Sequence, residues 1–298
     1  MKLTLTNENY YSIQANADYM SVSQFKDFAG TIMHNACETT ALKKANGIIQ
    51  TPKTTPLLVG SYIDSYFEGT LDEFKAENPE IFKKTGDKGL KAEYVGAEEI
   101  INRINNDPLF TSFMSGQKQV IMTGNLFGVD WKIKMDSYHP DDKIVDLKVM
   151  RDMQPIWSAD RHSRVDFIRY WGYDIQGAIY QKIVELNTGK KLPFYIACAT
   201  KETPCDIEII EITQPYLDAA LKFVEDHIQH VMDVKNGIVQ AEKCETCFYC
   251  KTSKILKQPV TIDTIIPANC RIDENGAEPE DEDAGADNHI QGYSLFDE

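Results

Sequence analysis

The chain is 298 residues long, with 42% hydrophobic and 10% aromatic residues, the composition of an ordinary globular protein with a substantial core. It has no apolar run near the roughly 18 residues of a membrane span, and its amino terminus, MKLTLTNENYYSIQ, shows no signal-peptide pattern, so a soluble cytoplasmic protein without a membrane partner is expected. Net charge is -15, but ten acids and no Lys or Arg fall in residues 273–298, leaving 31 bases against 36 acids in residues 1–272, a balance that does not exclude a local basic channel.

In chain order, the polar opening to about Asp18 predicts a short strand and a loop. Ser21 or Ser23 can cap a helix running to about Asn46, with Phe25, Phe28, Ala29, Ile32 and Met33 at helical spacing and Gly47 as its stop. Cys37 would lie inside it, by default as a small buried hydrophobe. After the loop TPKTTP, Leu57 to Gly69 predicts a second helix, whose Asp64 reads as part of a solvated face. Phe82 to Ala97 places Lys83, Lys84, Lys88 and Lys91 in a glycine-containing loop, either a solvated charge cluster or a basic loop for phosphate contacts. Ala97 to Met114 is expected to be one helix, with Ile100, Ile101, Ile104, Leu109 and Phe113 as its apolar stripe.

Gln119 to Thr123 predicts a strand that turns at Gly124-Asn125 into a second, Trp131 to Asp136. There Trp131, Ile133 and Met135 alternate with Lys132, Lys134 and Asp136, the period of a half-buried strand. Turn residues His139 to Asp142 lead to a third strand, Lys143 to Val149, with Asp146 and Lys148 on one face and Val145, Leu147 and Val149 on the other. Three antiparallel strands are expected. An acid, one residue and a lysine on a strand can serve phosphodiester cleavage: carboxylate oxygens and the freed Leu147 carbonyl bind a hard cation such as Mg2+, and the lysine handles water and offsets charge. In isolation the same D-L-K is an exposed cross-strand charge pair.

Arg151 to Tyr170 is an irregular region rich in charge and aromatics, where His162 reads as a surface residue. Gly172 to Leu186 is the best helix, with Ile175, Ile179, Ile183 and Leu186 buried and Tyr173, Gln176 and Tyr180 on a neighbouring face. Strands at Phe194–Thr200 and Asp206–Ile212 and a helix from Pro215 to about Lys235 complete a mixed sheet flanked by helices, of the α/β (α+β) class. Cys244, Cys247 and Cys250, within residues 241–257, have metal-ligand spacing but are one thiolate short of a closed site. From Asp273 the acidic tail is expected to be disordered, so residues 1–272 form the folded domain.

Asp136, nine residues, Asp146-Leu147-Lys148, then Gln176 and Tyr180 on a helix: this order resembles the PD-(D/E)XK nuclease superfamily, and most closely its phage and prophage RecE-like exonuclease branch, across about Met20 to Lys257. The resemblance implies a restriction-endonuclease-like core and a Mg2+- or Mn2+-dependent exodeoxyribonuclease acting on double-stranded DNA ends. Catalytic Asp136, Asp146, Lys148, Gln176 and Tyr180 are implied, as is a role at the metal for Asp64, which stands where relatives carry histidine after a Gly-Ser pair. Lys83 to Lys91 share K-G-L-K-A-E text with the family, which implies DNA contact. Iron-sulfur relatives imply that Cys37 joins Cys244, Cys247 and Cys250 around a 4Fe-4S cluster; the alternative is Zn2+. Implied partners are a RecT-like annealing protein, further copies in a ring-shaped oligomer, and the sliding clamp, whose docking peptides resemble Gln291 to Phe296. Alternatives are an iron-sulfur nuclease of the CRISPR-adaptation type and a non-catalytic DNA-end-binding accessory.

Overall fold

Ser12 starts the first helix, α1 (Ile13–Asp18), by accepting the Ala15 N–H on its hydroxyl at 3.1 Å, so the opening is helical where a strand is expected. The structure, a computed structural model, describes residues 2–50, 53–86, 88–265 and 271–272; the acidic tail and its Gln291–Phe296 peptide lie outside the described residues. Residues 1–251 form one compact unit, and residues 252–298 form a second.

The long helix expected after Ser21 is two helices, α2 (Val22–Ala29) and α3 (Glu38–Ala45). They break at Gly30, whose φ of 74° belongs to the left-handed region and where a Cβ would lie 2.3 Å from the His34 carbonyl oxygen. Cys37 therefore precedes α3 as its N-cap residue instead of lying within a helix. The next helix, α4 (Thr55–Glu68), ends at Gly69, and the short α5 (Leu71–Glu77) follows it. The single helix expected over 97–114 is again two, α6 (Ala92–Asn105) and α7 (Pro108–Phe113), divided where Asp107 caps the Phe110 N–H at 2.9 Å ahead of Pro108.

The strands also divide differently. β1 (Val120–Leu126) pairs antiparallel with β2 (Val129–Met135) through a turn at Phe127 and Gly128, both with positive φ, while Gly124 and Asn125 sit inside β1. At Asp136 the chain bends and enters a separate four-stranded sheet of order β3-β4-β7-β8, made of β3 (Ser137–His139), β4 (Lys143–Met150), β7 (Phe194–Thr200) and β8 (Ile207–Ile212). β4 runs parallel to β7 and antiparallel to β3, so the three-stranded meander is replaced by a mixed sheet. The parallel pair requires a crossover, supplied by the hairpin β5 (Ile156–Ser158) and β6 (Ser163–Val165), then α8 (Phe167–Tyr170) and α9 (Tyr173–Thr188). Lys132, expected on a polar face, is buried, its ammonium held by the Tyr10 carbonyl and by Asn16 Oδ1. Leu186 of α9 is exposed, not buried.

Each face of the four-stranded sheet covers one core. Ile144, Ile196 and Cys198 pack with α2, α9 and the long α10 (Gln214–Lys235), and Val145, Leu147, Ala197 and Ala199 pack with α4, α6 and α7. After α10 come α11 (Phe248–Thr252) and α12 (Ile262–Ile265). No helix among the described residues is long and apolar enough to cross a membrane.

Helix α9 is seated on β7 through Gly177, where a Cβ would meet the Phe194 ring at 2.5 Å and Leu217 at 2.9 Å. Gly177→Ala should therefore destabilise by about 1–3 kcal/mol through overpacking, despite a helix-propensity gain of up to about 1 kcal/mol. Denaturant unfolding measures this, and an unchanged or raised midpoint would contradict the close seating.

Candidate active site

The alternation of β4 decides what each of its residues can do. Ile144 donates its N–H to Pro193 and Met150 accepts from Lys201, so even-numbered backbone groups serve the β7 edge. Odd-numbered groups face the other edge, where β3 pairing ends at Ser137 opposite Val145. Leu147 would be left without a partner there, and Asp136, at the bend, closes the gap by accepting the Leu147 N–H on Oδ2 at 2.9 Å. The N–H and C=O of one strand residue point to the same edge. The Leu147 carbonyl is thus aimed toward the space that Asp136 borders.

Side chains alternate in the same way, which sends Asp146 and Lys148 to the α9 face. Asp146 is 2% exposed; its Oδ1 accepts from Gln176 Nε2 at 2.6 Å. Its Oδ2 meets Lys148 Nζ at 2.5 Å as an ion pair. Lys148 also lies 5.3 Å from the centre of the Tyr173 ring. Tyr180, one turn beyond Gln176, donates its hydroxyl to the Lys134 carbonyl at 3.0 Å, which ties α9 to β2.

From the opposite core, α4 brings Asp64, with Glu68 one turn later. Both line a cavity of about 10 Å³ with Gln119, Asp136 and Leu147, about the room one water needs. Gln119 Nε2 is 3.4 Å from Asp136 Oδ1, and its Oε1 is buried without a hydrogen-bond partner. Sequence reasoning missed Glu68 and Gln119. Glu68 carries only the weak signal of standing four residues after Asp64; Gln119 carries none.

These carboxylates disturb one another. Burial, then Asp146 and Asp64, push the Asp136 carboxyl well above its usual range. Burial also pushes Asp64 up to about 7 against the pull of Lys148, with Glu68 and Asp146 adding to the rise. On its own burial would lower Lys148, but Asp146 and Asp136 override it and hold the ammonium above the ordinary lysine range. Crowded carboxylates, with Gln119 Oε1 buried beside them without a hydrogen-bond partner, are a donor set that fits a hard divalent cation.

Three other groups of residues singled out in the sequence lie elsewhere. Lys83, Lys84 and Lys88 are in the loop bridged between Phe82 and Leu90, and Lys91 caps α6; none lines the cavities at Asp136 or Lys148. His162 is exposed at the tip of the β5–β6 hairpin. Cys37, Cys244, Cys247 and Cys250 do converge, with their sulfurs all within 4.8 Å of one another and Cys37 and Cys250 3.6 Å apart. The Cys247 and Cys250 amides point at the Cys244 and Cys247 sulfurs at 3.3 and 3.4 Å. The Thr246 hydroxyl and these contacts bring Cys244 down to about 6, favouring the thiolate, and no disulfide joins the four. Such a set can hold a thiolate-bound metal.

A family model described as a PDDEXK-like domain of unknown function (DUF3799) matches residues 21–253. A crystal structure of a "putative exonuclease" from Eubacterium rectale is similar with a TM-score of 0.84 and 54% identity, covering 89% of this chain and 99% of its own. Another solved structure, of SSO0001, reaches a TM-score of only 0.28 at 14% identity over 63% of this chain and 83% of its own, and carries no argument. No curated protein matches.

A carboxyl whose pKa rises on folding stabilises the fold fully below its unfolded value, here 3.8, and loses that contribution as pH climbs through its folded value, about 7 for Asp64; Asp136 acts in the same direction. Without divalent cations, the melting temperature should fall as pH rises from about 5 to 8, and less steeply in Asp64→Asn. Equal slopes in the two proteins would contradict this arrangement.

Proposed function

The chain belongs to the family of PDDEXK-like domains designated DUF3799, and on that premise we propose that it is a Mg2+-dependent deoxyribonuclease, an exonuclease of the RecE-like type that resects linear duplex DNA for recombination. One observation carries the reading: Asp146, ion-paired to Lys148 and hydrogen-bonded to Gln176, is joined across a strand edge by Asp136 seated on the Leu147 N–H. The exonuclease part rests on the likeness to the Eubacterium rectale protein. Resection of duplex ends, recombination, and partners such as an annealing protein or the sliding clamp rest on the sequence resemblance.

Asp64, Asp136, Asp146 and the Leu147 carbonyl would hold Mg2+ or Mn2+. The bound ion supplies Lewis-acid polarisation of a phosphate and a more acidic water. Lys148 is held protonated by its two acidic neighbours, so it acts as a fixed positive charge and donor beside the scissile phosphate, offsetting charge as the bond breaks. Gln176 fixes the rotamer of Asp146, and Tyr180 fixes Gln176 by anchoring their shared helix to β2.

We assign the four cysteines to a structural zinc ion. Tetrahedral bonds of about 2.3 Å set sulfurs about 3.8 Å apart, which agrees with sulfurs gathered within 4.8 Å; a four-iron cube binds each sulfur to a different iron and spreads them further.

On end-labelled linear duplex with Mg2+, Asp146→Ala and Lys148→Ala should each lose about 10²–10³-fold in rate with their folding retained. Gln176→Ala should lose about tenfold, the lower end for a supporting partner. Activity equal to wild type in the first two would refute the catalytic assignment. For the cysteine site, metal analysis should find about one zinc per chain; iron with absorbance near 400 nm would replace zinc by a cluster.

A further inference from the structure

Two cavities adjoin at Lys26 and Lys44. The first, of about 480 Å³, opens on Lys148, Gln176 and Tyr180 and runs outward past Tyr11, Lys134 and Lys26. A second, of about 840 Å³, shares Lys26, Asp27, Ala41 and Lys44 with it and continues to Tyr170, Trp157 and the loop of Cys244 and Cys247. One groove therefore leads from the catalytic lysine to the cysteine site.

Its chemistry changes along its length. In a chain of 46 acids and 31 bases, the first cavity is lined by five lysines, Lys26, Lys44, Lys132, Lys134 and Lys148, and a single acid, Asp27. Lys132 is spent on Tyr10 and Asn16, and Lys44 shares its charge with Asp27 at 2.9 Å. Lys134 lies over the rings of Tyr10 and Tyr11, 5.5 and 4.7 Å from their centres. Lys26 donates to the Trp171 carbonyl at 2.8 Å, and burial above all, then the charge of Lys148, brings it down to about 8. Aromatic faces are also available: Tyr11 is 72% and Trp157 58% exposed.

Lysines spaced along a groove with exposed rings at intervals match the backbone and bases of an unpaired strand. In a duplex each base is already stacked and paired, so its faces are closed to the rings. We propose that this groove, from Lys148 past Lys26, Lys134 and Lys44 to Trp157, is the track for a short single-stranded DNA segment, with Trp157 stacking on a base at the end remote from the acids. This deepens the nuclease reading and rests on it for the identity of the substrate, while the groove can be tested without cleavage.

The probe is a fluorescein-labelled 12-nucleotide oligothymidine, compared with a blunt 12-base-pair duplex, titrated into the full chain without added divalent cation. The oligothymidine should bind at least tenfold more tightly than the duplex and quench tryptophan emission. Trp157→Ala should weaken binding about tenfold, as loss of one stacked base does, and abolish most of the quenching. Lys134→Ala should weaken binding and reduce the slope of log affinity against log salt by about 0.7. Both substitutions alter exposed or half-buried side chains, and melting curves confirm that each variant folds. Equal or tighter duplex binding, or single-strand affinity unchanged in both variants, would overturn the proposal. If the oligothymidine binds as described but neither Mg2+ nor Mn2+ supports cleavage of any DNA, the nuclease reading fails and the groove stands. If cleavage occurs while both variants bind like wild type, the groove alone fails.

Discussion

A single hydrogen bond, from the Leu147 N–H to Asp136 Oδ2, lets the central strand end its pairing on one side without an orphaned buried amide. A neighbouring strand running on past Val145 would satisfy Leu147 equally well, but it would fill the space where the acids meet. A carboxylate in place of that strand keeps the sheet whole and puts a charge at its edge. Because Asp136 is fixed by the Leu147 N–H of β4, its position relative to Asp146, the residue before Leu147, is set by strand geometry and not by side-chain packing.

Electrostatics then follow from burial. Three aspartates and one lysine share a largely buried site, so each charge is worth more and costs more than it would on the surface. The pair of Asp146 and Lys148 is the part that balances; Asp136 and Asp64 are in excess, and burial first, then the neighbouring acids, drives their carboxyls upward. The apolar packing that tolerates this imbalance comes from the two cores on either side of the sheet, with α9 held close by Gly177 on one and α4 carrying Asp64 on the other.

Net charge is a poor guide to this molecule. Much of its net acidity is confined to residues 273–298, and the charged residues lining the cavity that opens on Lys148 are five lysines and one aspartate. Local sign is what a polyanion meets as it approaches. Cys37, Cys244 and Cys247 line the far cavity with Cys250 buried beside them, so metal at that point would tie α3 to α11 and hold one wall in place.

Some of this was legible from residues alone. Period-two alternation identified β2 and β4 and put Asp146 and Lys148 on one face; helical spacing found α4, α9 and α10; D-x9-D-L-K with Gln176 pointed to a nuclease family, because those residues are tied to strand and helix periods that sequence records directly. Errors fell where a single position outweighs periodicity: Gly30 and Asp107 each cut a long apolar pattern in two, and the Phe127-Gly128 turn displaced the one expected at Gly124-Asn125. Only the tertiary structure decided that Asp136 lies at a bend between sheets, that Lys132 is buried, that Glu68 and Gln119 join the acids, and that Lys26 and Lys44 border the groove. Those facts depend on which edges and faces are brought together from separate parts of the chain, and local spacing carries no record of a distance measured through space.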